Sequence, residues 1–265
     1  MAQRRLIHMR KRVLPKGWGD AARQLLLFAA AYGLYQVVRG LVNGNDVALA
    51  SWNATKVINL ERTLHLFVEP NVEVWTANLH WLVVIADVSY LYSQYMITFS
   101  VLLWIYVRRN DSFYFVRNMF MASMVIALSG YTIYPTAPPR LMPEWGFTDP
   151  VALFTHITAE RGTSAALLNL YAAVPSMHVA FACMVGIPMA RFVRHRWATA
   201  LWLCYPLYIS FVVVCTGNHY FTDCVLGATT AALSALVSKQ LLARARPDVW
   251  AFRPSRRAGG RTVTA

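Results

Sequence analysis

Two short stretches place a histidine where polar chain gives way to a long apolar run: Pro175-Ser176-Met177-His178 and His219-Tyr220-Phe221-Thr222-Asp223. Two imidazoles on one side of a membrane could divide a reaction, one as nucleophile and one as proton donor. His219 and Asp223 are four residues apart, so a helical turn lets their side chains meet. A carboxylate that accepts the proton of one ring nitrogen fixes the tautomer and leaves the other nitrogen to attack. A carboxylate near a membrane span is costly unless it is paired, which marks Asp223 as a functional candidate. The same residue could instead cap the following helix, with His219 an interfacial spectator.

Pro175 suits a first helical turn and Ser176 can cap it, which puts His178 at a helix start. Free N–H groups there attract phosphate, and His178 could protonate a leaving alkoxide. A satisfied histidine in a capped helix is the plainer alternative. Arg140 follows stiff prolines in Tyr134-Pro135-Thr136-Ala137-Pro138-Pro139-Arg140. Its forked donors suit phosphate, although a snorkelling interfacial arginine looks the same. Asn218 and Tyr220 flank His219 and could hydrogen-bond a substrate; Tyr220 could also be only an interfacial aromatic. Gly217 provides the turn. Asp87, well inside an apolar run, suits pairing with another polar residue better than catalysis.

The elements that must position these groups are membrane helices. The chain has 265 residues, of which 57% are hydrophobic and 14% charged, where a soluble domain carries roughly a quarter charged residues. The charges cluster between apolar runs at 24–38, 81–107, 119–139, 165–190, 197–218 and 224–238. A bilayer core needs about 20 helical residues, and snorkelling Arg or Lys can extend the shorter runs. The expected fold is all-α, a single integral-membrane bundle of six transmembrane helices over 23–242. A basic cytoplasmic N-terminus (1–22) and a basic cytoplasmic tail (243–265) flank it. With both termini inside, 20 of the 25 Lys and Arg residues fall on the cytoplasmic side. That is a strong positive-inside bias, and it puts both histidines at the outer face of the cell membrane. The net charge of +13 is therefore assigned to the membrane and not to nucleic acid.

The basic, then apolar, N-terminus resembles a signal peptide but lacks a small-residue cleavage site, so it is expected to remain as the first helix. Between the first two spans, Val57, Leu60, Leu64 and Phe67 recur at helical spacing and predict an amphipathic helix, lying on the outer membrane surface or covering the bundle and ended by Pro70. Trp75 and Trp81 suit the interface. The outer segment 134–171 is rich in Pro and Gly and predicts a long irregular loop, a lid or a substrate wall. Cys183, Cys204, Cys215 and Cys224 lack metal-type spacing and suit packing.

Pro175-Ser176-x-His178 followed by His219-x-x-x-Asp223 resembles the second and third motifs of the type 2 phosphatidic acid phosphatase (PAP2) superfamily. The pattern Tyr134-Pro135-x-Ala137-Pro138-Pro139-Arg140, Ala173-Val174-Pro175-Ser176-x-His178 and Thr216-Gly217-Asn218-His219-Tyr220-Phe221-x-Asp223 is closer to its inositolphosphotransferase-like branch, which includes the fungal inositol phosphorylceramide synthases. The stretch from Asn59-Leu60-Glu61-Arg62 to Val68-Glu69-Pro70 is similar to bacterial members. The resemblance implies an enzyme that cleaves a lipid phosphoester at the extracytoplasmic surface. His219 would be the nucleophile, Asp223 its orienter and His178 the general acid, while Ser176 and Arg140 hold phosphate oxygens. It implies a phosphohistidine intermediate, discharged by water or an alcohol, with no metal and no cofactor.

The chain departs from the phosphatase motifs at three places. Ile133 stands where they have Lys, Met177 where they have Gly, and Val212-Val213 where they have Ser-Arg. Two phosphate-gripping cations are thus missing, which favours the inositolphosphotransferase-like branch and leaves open whether Arg161 contributes to the phosphate site. The expected partners are a lipid phosphate or phospholipid substrate and the surrounding lipids. Two other classes compete: a transporter or channel with Asp87, His178 and Asp223 along a polar path, and a haem protein with His178 and His219 as axial ligands.

Overall fold

The computed structural model describes residues 16–41, 47–148, 171–242 and 244. They are mostly helical: α1 (Gly17–Leu41), α2 (Val47–Thr63), α3 (Glu69–Ala77), α4 (His80–Val88), α5 (Gln94–Arg108), α6 (Asn110–Ile133), α7 (Met177–Phe192), α8 (Arg196–Cys215) and α9 (Phe221–Leu236). A π-helical turn, Ser89–Ser93, joins α4 to α5 into one rod, and a second, Val237–Leu242, extends α9. Among the described residues there is no strand, only a parallel bridge between Thr136 and Ala172.

Four helices are long and apolar enough to cross a membrane: the α4–α5 rod His80–Arg108, α6, α8 and Phe221–Leu242. Trp197, Leu201 and Leu207 of α8 are exposed, so the outside of the bundle is apolar as lipid requires. The six expected spans are met in part. α1 has 25 residues but includes Asp20, Arg23 and Arg39, and falls short of that apolarity. α7 begins only at Met177, so its 16 residues rise roughly 24 Å and not the 30 Å of a bilayer core.

α7 is the buried centre of the bundle, with Val179–Gly186 inside on every face. Phe181 meets Phe120 of α6 edge to face at 4.7 Å. A second, smaller apolar cluster lies beneath α2, where Ala50, Ala54, Val57 and Ile58 pack on Ala137, Phe147 and Tyr220. The helix expected over this stretch is present, with Val57 packed inside. Leu60 and Leu64 point outward, while small Ala50 and Ala54 face in. Pro70 does not end that helix, which stops at Thr63; it sits in the first turn of α3. Of the long outer loop, 134–148 and 171–176 are described and irregular, with short 3-10 turns at Pro139–Leu141 and Pro143–Trp145. Residues 149–170, including Arg161, most of the basic N-terminus and nearly all of the tail lie outside the described residues.

Candidate active site

The starts of α7 and α9 are fastened together. Ser176 takes the N-cap position of α7 in extended conformation, and its N–H donates to the Asp223 carbonyl at 3.1 Å. A Cβ on Gly227 would lie 2.3 Å from the Ser176 carbonyl oxygen, so only glycine allows this approach. The fastening brings the ring centroids of His178 and His219 to 5.9 Å at an angle of 61°. Asp223 Oδ2 sits 3.3 Å from His219 Nδ1 and also accepts the Tyr220 N–H at 3.0 Å. Helix cap and histidine orienter, posed as alternatives by the sequence, are the same oxygen.

The loop carrying His219 is held from several sides. Gly217 has φ +65°, and a Cβ there would come within 2.8 Å of Glu73 Oε1. The N–H groups of Asn218 and His219 both donate to the Val213 carbonyl at 3.0 Å. Asn218 Nδ2 donates to the Thr216 carbonyl and Oγ, while Asn218 Oδ1 accepts from Arg140 Nη1. The Arg140 N–H donates in turn to the Gly217 carbonyl at 2.9 Å. Arg140 and Asn218 are thus oriented as a pair beside the imidazole. Burial pushes His219 down to about 3, and the charges of Arg140 and Arg39 add to this; a hydrogen bond with the Ala173 carbonyl works against it. The ring is neutral at physiological pH, as a nucleophile must be.

His178 stacks on Tyr90 at 4.5 Å and 26° and hydrogen-bonds the Tyr90 backbone. Tyr90 lies in the π-helical turn between α4 and α5. A π-turn breaks the regular ladder of a helix, and this one presents both ring and carbonyl to the imidazole.

In front of the two histidines opens a cavity of about 590 Å³ including its mouth. His178, His219, Arg140 and Asn218 line one side; Tyr35, Gln36 and Arg39 of α1 line another, with Tyr90 and Gln94 from the second rod. Asp223 and Ser176 stand directly behind, both fully buried. Ser176 caps nothing with its side chain, and its Oγ has no hydrogen-bond partner among the described residues. Tyr220 is turned away, packed edge-on against Phe147 at 6.0 Å. Asp87 is buried outside the cavity.

Three buried glutamates support this site. Glu61 accepts the Thr222 N–H at 2.6 Å, Glu69 the Phe221 N–H at 2.9 Å and Glu73 the Thr148 N–H at 3.0 Å. Glu61, Glu69 and Asp223 together satisfy the free N–H groups at the start of α9, while Glu73 holds the Thr148 segment. Burial raises Glu61 to about 8, helped by a hydrogen bond with the Glu69 carboxyl. These residues were missed as site residues, although a glutamate next to buried Val57 and Ile58 was visible as an acid on an apolar face.

Among the described residues, no group of three or more His, Cys, Asp or Glu side chains could hold a metal ion. No curated protein and no solved structure matches the chain. The PAP2 superfamily does match, over residues 55–237, a stretch that contains both histidines, Asp223 and Arg140. Phosphatase and phosphotransferase chemistry is what that match suggests for a helical membrane protein with this pocket, and the chain belongs to the PAP2 superfamily.

Proposed function

We propose that this protein is a six-span enzyme of the cytoplasmic membrane that cleaves a lipid phosphoester at the extracytoplasmic face through a phosphohistidine. The observation that carries the proposal is the pair of imidazoles 5.9 Å apart across one cavity, with Arg140 beside them. α1 and α7 would complete the six spans, and the positive-inside bias supports the outer location of the site.

His219, with its proton on Nδ1 toward Asp223, attacks phosphorus through Nε2. An N–P bond forms as the P–O bond to the leaving alcohol breaks. His178, protonated once the phosphate anion lies beside it, gives its proton to that oxygen, while Arg140, oriented by Asn218, holds the phosphate oxygens. In the second half-reaction His178 takes a proton from water or an alcohol, whose oxygen attacks phosphorus as the N–P bond breaks. If the substrate is a phosphomonoester, water releases free phosphate; if it is a phosphodiester whose head group stays on phosphorus, an alcohol yields a new phosphodiester. The motif spelling and the apolar residues Ile133 and Val213 favour the inositolphosphotransferase-like branch, and with it transfer of an inositol-phosphate-type head group.

The test is to incubate the purified protein with a panel of lipid phosphates and phosphoinositides, with and without inositol, and to read the products by mass spectrometry. Free phosphate identifies a phosphatase and a new phosphodiester a transferase. Turnover that survives His219→Ala overturns the mechanism.

A further inference from the structure

The wall facing the two histidines belongs to α1, which precedes the residues matched to the superfamily. Gln36 and Arg39 lie one turn apart on it and both line the cavity. Arg39 Nε and Gln36 Oε1 are buried, and neither has a hydrogen-bond partner among the described residues. Buried polar groups are almost always satisfied, so two such atoms facing one cavity point to a ligand that completes them. The charge of Arg39 is felt at His219 alongside that of Arg140. Two guanidiniums thus line the cavity that holds both histidines.

The positions from which a second cation was expected cannot supply it. Ile133 is 80% exposed on the outside of the bundle, and Val213 is buried and apolar. Around Arg39 the cavity offers amides (Gln36, Gln94) and phenols (Tyr32, Tyr95), with no carboxylate among its described lining. Phenols alone could cage a quaternary ammonium, but beside two guanidiniums a cation is repelled.

We propose that Arg39 is the second guanidinium of the phosphate cradle, entering from α1 opposite Arg140. The Gln36 and Gln94 amides beside it take the hydroxyls of a neutral, hydroxyl-bearing group esterified to that phosphate. The role rests on the phosphotransfer reading above.

Stabilisation of the purified full chain against heat, titrated with a ligand, gives an affinity without knowledge of the natural substrate. Inorganic phosphate, glycerol 3-phosphate and phosphocholine are the probes. Arg39→Gln should weaken phosphate binding by about tenfold or more, the loss expected of a charge-assisted pair. Arg39→Lys, which keeps the charge and most of the packing, should recover part of it and serves if Arg39→Gln does not fold. Gln36→Leu with Gln94→Leu should weaken glycerol 3-phosphate and leave phosphate unchanged. Glycerol 3-phosphate should bind wild type more tightly than phosphocholine. If phosphate stabilises wild type, Arg39→Gln and Arg39→Lys equally, the role of Arg39 is refuted while the phosphotransfer reading stands. Phosphocholine binding as well as glycerol 3-phosphate refutes the head-group assignment. If phosphate fails to stabilise wild type at all, both fall together.

Discussion

Asp223→Asn separates the two duties of one carboxylate. Oδ2 meets the Tyr220 N–H at 3.0 Å and His219 Nδ1 at 3.3 Å. An asparagine can put its carbonyl oxygen in the Oδ2 position and keep both contacts, because Asn caps helices about as well as Asp. What it loses is the negative charge, since the amide is neutral. The positive charge that the ring gains when Nε2 bonds to phosphorus is then left without its counter-charge. The corresponding exchange in a serine-protease triad costs about 10⁴ in kcat. At 1.36 kcal/mol per tenfold, the expected rise in barrier is roughly 5.4 kcal/mol. Folding should lose far less, about 1 kcal/mol, since the cap and a histidine contact both survive. Turnover of whichever lipid phosphoester the wild type consumes, measured on detergent-purified variant beside a thermal melt, decides the matter. A folded variant with kcat within tenfold of wild type would refute the role given to the Asp223 charge.

His178→Gln should slow release of an alkyl alcohol by about 10²–10⁴ yet slow a p-nitrophenyl ester much less, because a good leaving group does not need the proton; equal losses with both esters would contradict the general-acid role. Glu61, raised to about 8 from an ordinary 4.5, binds a proton in the folded state that the unfolded state has released, so stability should fall as pH rises from 4.5 to 8 and level off above. His219, lowered from 6.5 to about 3, contributes the opposite slope, with stability lost as pH falls from 6.5 toward 3. Glu61→Gln should therefore flatten the denaturation profile between pH 6.5 and 8, and an unchanged slope there would assign it to another group. Gly217→Ala forces a Cβ into φ +65° and to 2.8 Å from Glu73 Oε1; it should cost at least about 1–2 kcal/mol of stability, and a wild-type melt would show that the loop relaxes freely.

Chemistry that depends on short spacing was legible in the chain. His219 and Asp223 meet because i and i+4 must meet on a helix, and Arg140 was marked by its prolines. What depends on one helix leaning on another was not. Tyr90 reaches His178 through a π-turn that no local pattern announces, and Gln36 and Arg39 face the site only because α1 packs on α6 and places them there. The start of α7 was legible too, since Ser176 was read as its cap and the helix begins at Met177. Pro70 was read as a stop where it begins a helix, and proline fits both positions. Leu60 and Leu64 were legible as an apolar stripe, but whether that stripe meets lipid or the bundle depends on how the helices pack.

The fastening of Ser176 to Asp223, with Gly227 beneath it, makes the two imidazoles a single rigid body. Evolution cannot shift one ring to suit a new substrate without dislodging its mate. Diversification is left to the opposite flank, where the first helix can drift in sequence while reactivity is inherited intact. Grafting that helix from a homologue should transplant substrate preference and leave the bond-breaking step as it was.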